Sequence, residues 1–125
     1  MFNPKYISSG APWEEVFGYS RAVRHGNTIE FSGTVCPQEN PGDEYEQTIS
    51  ILQTIEKYLI AEGGTKNNIV RTRVYCLHID RWREIAKGHS EFFGEHRPAS
   101  TLIQISGLID EKFLIEIEAT AVLSE

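Results

Sequence analysis

The sequence predicts an α/β fold of the α+β kind, one mixed sheet with two helices packed on a single face. Three observations carry this prediction. Apolar residues recur at helical spacing in two stretches, Ile51–Leu59 and Trp82–Phe93. Stretches rich in β-branched residues surround them, in the order β β α β α β β. Glycines at 26, 63, 64, 94 and 107 stand where the periodicity changes.

Residues 1–16 are rich in Ser, Gly and Pro and predict an irregular arm, with Tyr6–Ser8 able to form a short strand. Tyr19–Arg24 and Thr28–Ser32 flank His25-Gly26-Asn27, a hairpin pattern in which Gly26 and Asn27 supply the positive φ angles. Cys36–Asp43 carries two prolines and a glycine and predicts a loop. Asp43, with Glu46 three residues on, is a capping-box start for a helix that Gly63-Gly64 stops. Ile69–Ile79 predicts a long strand. Asp80 is placed to cap a second helix, whose apolar stripe is Trp82, Ile85, Ala86, His89, Phe92 and Phe93, with Gly94 ending it. Ser100–Ser106 and Lys112–Leu123 predict two final strands joined around 107–111.

Alternation then sorts the side chains. Phe113, Ile115, Ile117, Ala119 and Ala121 point to the core, whereas Leu114, Glu116, Glu118, Thr120 and Val122 point away from it. In the strand before, Ser100, Leu102 and Gln104 share one face and Thr101, Ile103 and Ile105 the other. With both helices used on the core side, the second face mixes apolar and polar groups and is expected to meet another subunit.

Composition bounds the function. The 125 residues, 40% hydrophobic, fit one domain over 1–125 with a single core. A net charge of −6 speaks against nucleic-acid binding, which needs a basic face. No apolar run reaches membrane-spanning length, and MFNPKY lacks the layout of a secretion signal, so the expected compartment is the cytoplasm. Cys36 and Cys76 form no close pair, so neither a metal site nor a disulfide framework is expected. Cys36 follows SGTV and is expected near a cleft where subunits meet; Cys76 alternates with Val74 as a core residue.

Three stretches, YSRAVRHGNTIEFSGTV, EQTISILQTIEKYLIAEGGTKNNIVRTRVYCLHI and RPASTLIQISGLIDEKFLIEIEATAV, resemble the RidA/YjgF family of imine/enamine deaminases, also labelled endoribonuclease L-PSP. The resemblance runs from about Tyr19 to Val122. It implies a chorismate-mutase-like subunit and a homotrimer whose three sheets form a central barrel, with clefts between subunits. It also implies hydrolysis of 2-imino and 2-enamino acids to 2-oxo acids and ammonia, with no cofactor and no metal. A small molecule in the cleft is the partner it implies. The older endoribonuclease label conflicts with the acidic charge and the lack of a basic patch.

Carried over by position, the resemblance assigns Glu118 to positioning the attacking water, Tyr19 to the cleft and Gly33 to a pocket lined by its backbone. Typical members read Pro-Ala-Arg-Ser before the penultimate strand, the arginine binding the substrate carboxylate. This chain reads Pro98-Ala99-Ser100-Thr101, so Ser100 holds the arginine's place, Leu102 stands where some members have a cysteine, and Ala86 where some have asparagine. The chain instead resembles a branch with SGAPWE, YSRAV and SGT near its start, to which Arg21 belongs. Arg21 shares a strand face with Tyr19; it either lends the cleft a cation or forms a salt bridge between subunits. Arg97 precedes Ser100 by three extended residues, roughly 10 Å, which favours a solvated loop arginine. His96 has no partner visible in the sequence, and His89 is expected to pack. Glu116 reads as a strand carboxylate, solvated or paired with Arg71 and Arg73, as Glu118 would also be without the family match. An enamine/imine hydrolase on an unassigned substrate and a non-catalytic, ligand-binding homotrimer are the two functions that fit.

Overall fold

The structure, a computed structural model, describes residues 1–37, 39 and 41–124. Its strands are β1 (Lys5–Ile7), β2 (Ala22–His25), β3 (Thr28–Thr34), β4 (Ile69–Cys76), β5 (Ala99–Gln104) and β6 (Ile115–Val122), and its helices α1 (Pro12–Phe17), α2 (Glu44–Ala61) and α3 (Trp82–Phe93). The strands form one sheet in the order β1-β2-β3-β6-β4-β5. Neighbours run antiparallel except β4 and β5, which are parallel, so α3 serves as the crossover that a parallel pair requires.

The mixed sheet with two helices on one face is as the sequence predicts. Ile51, Leu52, Ile55 and Leu59 of α2 and Ile85, Phe92 and Phe93 of α3 are buried against Ile29, Val74, Ile115 and Ile117. Gly88 lets the helices approach: a Cβ there would stand 3.1 Å from Thr48. At the start of α2 the capping box forms, with Asp43 Oδ1 accepting from Glu46 N at 2.9 Å and Glu46 Oε1 from Asp43 N at 3.0 Å, a device worth about 1 kcal/mol. Gln47, fully buried, ties α2 to the start of β6 by donating to the Gly42 and Lys112 carbonyls and accepting from Leu114 N.

Several expectations need correction. The short strand expected at Tyr6–Ser8 forms as β1 over Lys5–Ile7, but the stretch read as an irregular arm also holds most of α1. Pro12 at the first helical position and Glu14 and Glu15 in the first turn suit a helix start, a signal outweighed by the surrounding Ser, Gly and Pro. Tyr19 and Arg21 precede β2 rather than lying in it. In the hairpin only Gly26 takes a positive φ (62°). The strand from Ile69 ends at Cys76, because a 3-10 turn over Ile79–Arg81 takes up the chain before α3; Asp80 therefore sits inside that turn and does not cap the helix. Within the predicted 36–43 loop, Gln38 and Asn40 lie outside the described residues. No helix among the described residues is long and apolar enough to cross a membrane.

Candidate functional site

The site is built on the sheet face opposite α2 and α3. In β6, Ile115 and Ile117 face the core, which leaves Glu116 and Glu118 on the other side, across from Tyr75 and Arg73 of β4. On the opposite flank, β3 bulges between Phe31 and Thr34. Two hydroxyl hydrogen bonds hold the bulge: Thr34 Oγ1 donates to the Ser32 carbonyl (2.8 Å) and Ser32 Oγ to the Ser20 carbonyl (2.6 Å). At Gly33 a Cβ would overlap Glu116 Oε2 and lie 2.8 Å from Cδ. The glycine is needed because the Glu116 carboxylate occupies the space of a side chain.

Arg21 is buried, 7% exposed, yet joins no ion pair among the described residues. Its Nη2 donates to the Gly33 carbonyl at 2.7 Å, its guanidinium lies 5.4 Å from the Tyr19 ring centroid, and its Nε is buried without a hydrogen-bond partner among the described residues. A cation held by a carbonyl and a ring keeps much of its capacity for an anion.

The two glutamates differ in surroundings. Burial raises the Glu116 carboxyl above its ordinary value; the Arg21 charge opposes this and the Glu118 charge adds to it, for a net upward shift. Glu118 accepts a hydrogen bond from the Tyr75 hydroxyl, and that bond, with burial, raises the Tyr75 phenol. The arrangement joins a carboxyl inclined to hold a proton to a second carboxyl held in position, which suits acid–base work.

A cavity of about 540 Å³ is lined by Trp13, Val16 and Phe17 of α1, by Tyr19, Arg21, Ser32, Gly33, Val35 and Ile109, and by both glutamates. A neighbouring compartment of about 430 Å³ shares Gly33, Ile109, Glu116 and Glu118 and adds Tyr75, Ile105, Gly107 and Leu108. The α1 wall is fixed from below. Glu14, 8% exposed, accepts from Ser8 Oγ, Ser9 N and Ser9 Oγ, while Trp13 meets Phe113 edge-on at 6.1 Å. Burial pushes the Glu14 carboxyl up, but these hydrogen bonds and the Arg21 charge outweigh it, so Glu14 is held below its ordinary range.

The fold thus brings Tyr19, Arg21, Gly33 and Glu118 together. Ser100 and Leu102 do not join them within the chain. They pair in register with Thr72 and Val74, whose side chains are buried on the helix side. Ser100 Oγ accepts from Thr72 Oγ1 (2.8 Å), which also meets His89 Nε2 (2.9 Å). His89 packs 4.7 Å from the Phe93 ring, and burial lowers its proton affinity. Arg97 is exposed and makes no ion pair among the described residues, as expected of a solvated loop arginine, and His96 Nε2 lies 2.9 Å from the Ile69 carbonyl oxygen. Of the two alternatives for the strand carboxylates, solvated or paired with Arg71 and Arg73, the ion pairing is absent among the described residues, and Arg71 donates to Thr101 Oγ1. Cys36 is a core thiol, pushed up by burial, and no cluster of three metal-ligating side chains occurs among the described residues. Sequence reasoning left Glu116 as a plain strand carboxylate and missed that Tyr75 and α1 line the cavities. Strand alternation from Arg73 was the signal that could have found Tyr75.

Comparison with known proteins places this architecture. The family described as Endoribonuclease L-PSP matches residues 11–123. An uncharacterised protein of Streptomyces coelicolor is 34% identical over 92% of this chain and 89% of its own length. The 3-aminoacrylate deaminase RutC of Acinetobacter baylyi is 30% identical over 82% of this chain and 85% of its own. Among solved structures, a YjgF/YER057c/UK114 family member from Mycobacterium tuberculosis superposes with a TM-score of 0.89 at 38% identity, covering 97% of this chain and all of that one. With nearly its whole length matched in both sequence and fold, the chain belongs to the RidA/YjgF family, the Endoribonuclease L-PSP family of the matching description.

Proposed function

We propose that the chain hydrolyses an imine or enamine of a small carboxylic acid, with Glu116 moving the proton and Glu118 helping to place the water. The observation that carries this reading is the Glu116 carboxyl lodged against Gly33, inclined toward its protonated form and lining one cavity with the Arg21 cation. The deaminase name of the Acinetobacter relative supports the reaction class.

Protonated Glu116 gives its proton to the enamine carbon, leaving an iminium and a carboxylate. The carboxylate takes a proton from water as the water oxygen bonds to the iminium carbon. Glu116 then protonates the nitrogen, the C–N bond breaks as the hydroxyl proton returns to Glu116, and a 2-oxo acid and ammonia leave. Glu118, fixed by Tyr75, orients the water, and Arg21 holds the substrate carboxylate.

The reading includes a homotrimer, supported by exposed Ile103 and Val122 on and beside the sheet face opposite α2 and α3. The second reading, a trimer that binds without turnover, is favoured by Ser100 standing where typical members have arginine.

The test generates imino acids in situ with an amino-acid oxidase and follows their loss with and without the protein. Acceleration that falls about 10²–10⁴-fold in Glu116→Gln is expected. No acceleration over a broad panel, with a ligand bound and recovered unchanged, would establish the binding reading instead.

A further inference from the structure

Helix α1 is built inside out. Its buried side chain is a carboxylate, Glu14, while Val16 and Phe17 stand 87% and 83% exposed. A six-residue helix has little intrinsic stability, so this arrangement is held by its anchors, the Ser8–Ser9 hydrogen bonds to Glu14 and the Trp13–Phe113 contact. These anchors present Val16 and Phe17 as a fixed apolar wall. Ile109, 65% exposed, also lines the cavity, and Phe17 meets Tyr19 edge-on at 5.8 Å. The Tyr19 ring in turn lies under the Arg21 guanidinium. The cavity therefore runs from an apolar wall, past two aromatic rings, to a cation that has no carboxylate partner among the described residues.

We propose that this cavity selects a carboxylic acid bearing a bulky apolar side chain, aromatic above all, with its carboxylate at Arg21 and its side chain along Val16, Phe17 and Ile109. Charge complementarity fixes one end, because Arg21 lines the same cavity as the reacting carboxyl of Glu116. The volume, about 540 Å³, is larger than a three-carbon acid fills and is typical of a site for a larger ligand. The proposal deepens the hydrolase reading and rests on it for the placement of the reacting carbon between Arg21 and Glu116.

The probes are two stable 2-oxo acids, phenylpyruvate and pyruvate, titrated calorimetrically against the full chain. Covering one face of a phenyl ring removes on the order of 80 Å² of apolar surface from water, roughly thirtyfold in affinity. Phenylpyruvate is expected to bind at least tenfold tighter than pyruvate. Phe17→Ala and Ile109→Ala, both at exposed positions, should each reduce that ratio severalfold with little change for pyruvate, and Arg21→Met should weaken both acids together. Equal affinities for the two acids would overturn the proposal. So would a Phe17→Ala variant that changes the native mass in sedimentation but leaves the ratio intact, because the wall would then be a subunit interface. Selective binding without imine turnover would sink the hydrolase reading and leave the selectivity standing. Turnover with no preference between the acids would do the reverse.

Discussion

Replacing Gly33 by alanine probes the contact on which the site is built. Gly33 does not take a positive φ, so alanine fits the backbone, and the effect comes from space alone. The new Cβ would overlap Glu116 Oε2, and Cδ, at 2.8 Å, must retreat about 0.6 Å to regain an ordinary contact of 3.4 Å. Overpacking costs about 1–3 kcal/mol, and the low end applies here because a carboxylate can swing aside. A displaced proton donor matters more for rate, since misplacement by about 1 Å can cost on the order of a hundredfold. In a Glu116→Ala background the obstacle is gone, and Gly33→Ala should stabilise by about 0.4–1 kcal/mol through the unfolded chain. Urea unfolding of the four proteins in this cycle should therefore give a coupling of about 1–2 kcal/mol. Additive effects, or a Gly33→Ala variant with unchanged stability and unchanged turnover, would show that Glu116 does not lodge against Gly33 and would refute the assignment.

Other outcomes follow from the same geometry. Glu116→Gln should be more stable than the parent at neutral pH. A raised carboxyl favours the folded state below its unfolded value and loses that contribution as pH rises through the folded one, so the difference in melting temperature should shrink as the pH is lowered. Tyr75→Phe, which releases Glu118, should lower stability by about 1 kcal/mol in urea and remove from the ultraviolet titration a phenol that ionises above the ordinary tyrosine range; Glu118→Gln should bring that phenol back down. Glu62 is held below its ordinary value by Lys5 and Arg24, at 2.7 and 3.3 Å. Glu62→Gln should lose about 0.5–1 kcal/mol at pH 7, a difference present above the unfolded value and lost as pH falls through the folded one. A difference that persisted into strong acid would show that packing, not charge, is at work.

Much of the architecture is local and was legible from residue order. The capping box at Asp43, the apolar periodicity of α2 and α3 and the alternation of β6 each depend on neighbours within a few positions, and each appears in the structure. Alternation alone also placed both glutamates away from the helices. Local chemistry misled at α1, where Ser, Gly and Pro read as irregular backbone although Pro12 and the acidic first turn suit a helix. At Asp80 a plausible cap was used up by a 3-10 turn.

What residue order could not decide was how the surroundings of the two glutamates would differ. That depends on a β3 bulge, which sets the bare Cα of Gly33 against Glu116, and on Tyr75 reaching Glu118 from another strand. Ser100 shows the same limit: its place in the chain matches a family arginine, yet its side chain bonds Thr72 on the helix side. The two long helices, the core face and the open-face position of both glutamates were readable in the chain, because they follow from short-range periodicity. The surroundings of those polar residues needed the folded molecule, because burial and proton affinity depend on groups brought together from β3, β4, β6 and α1.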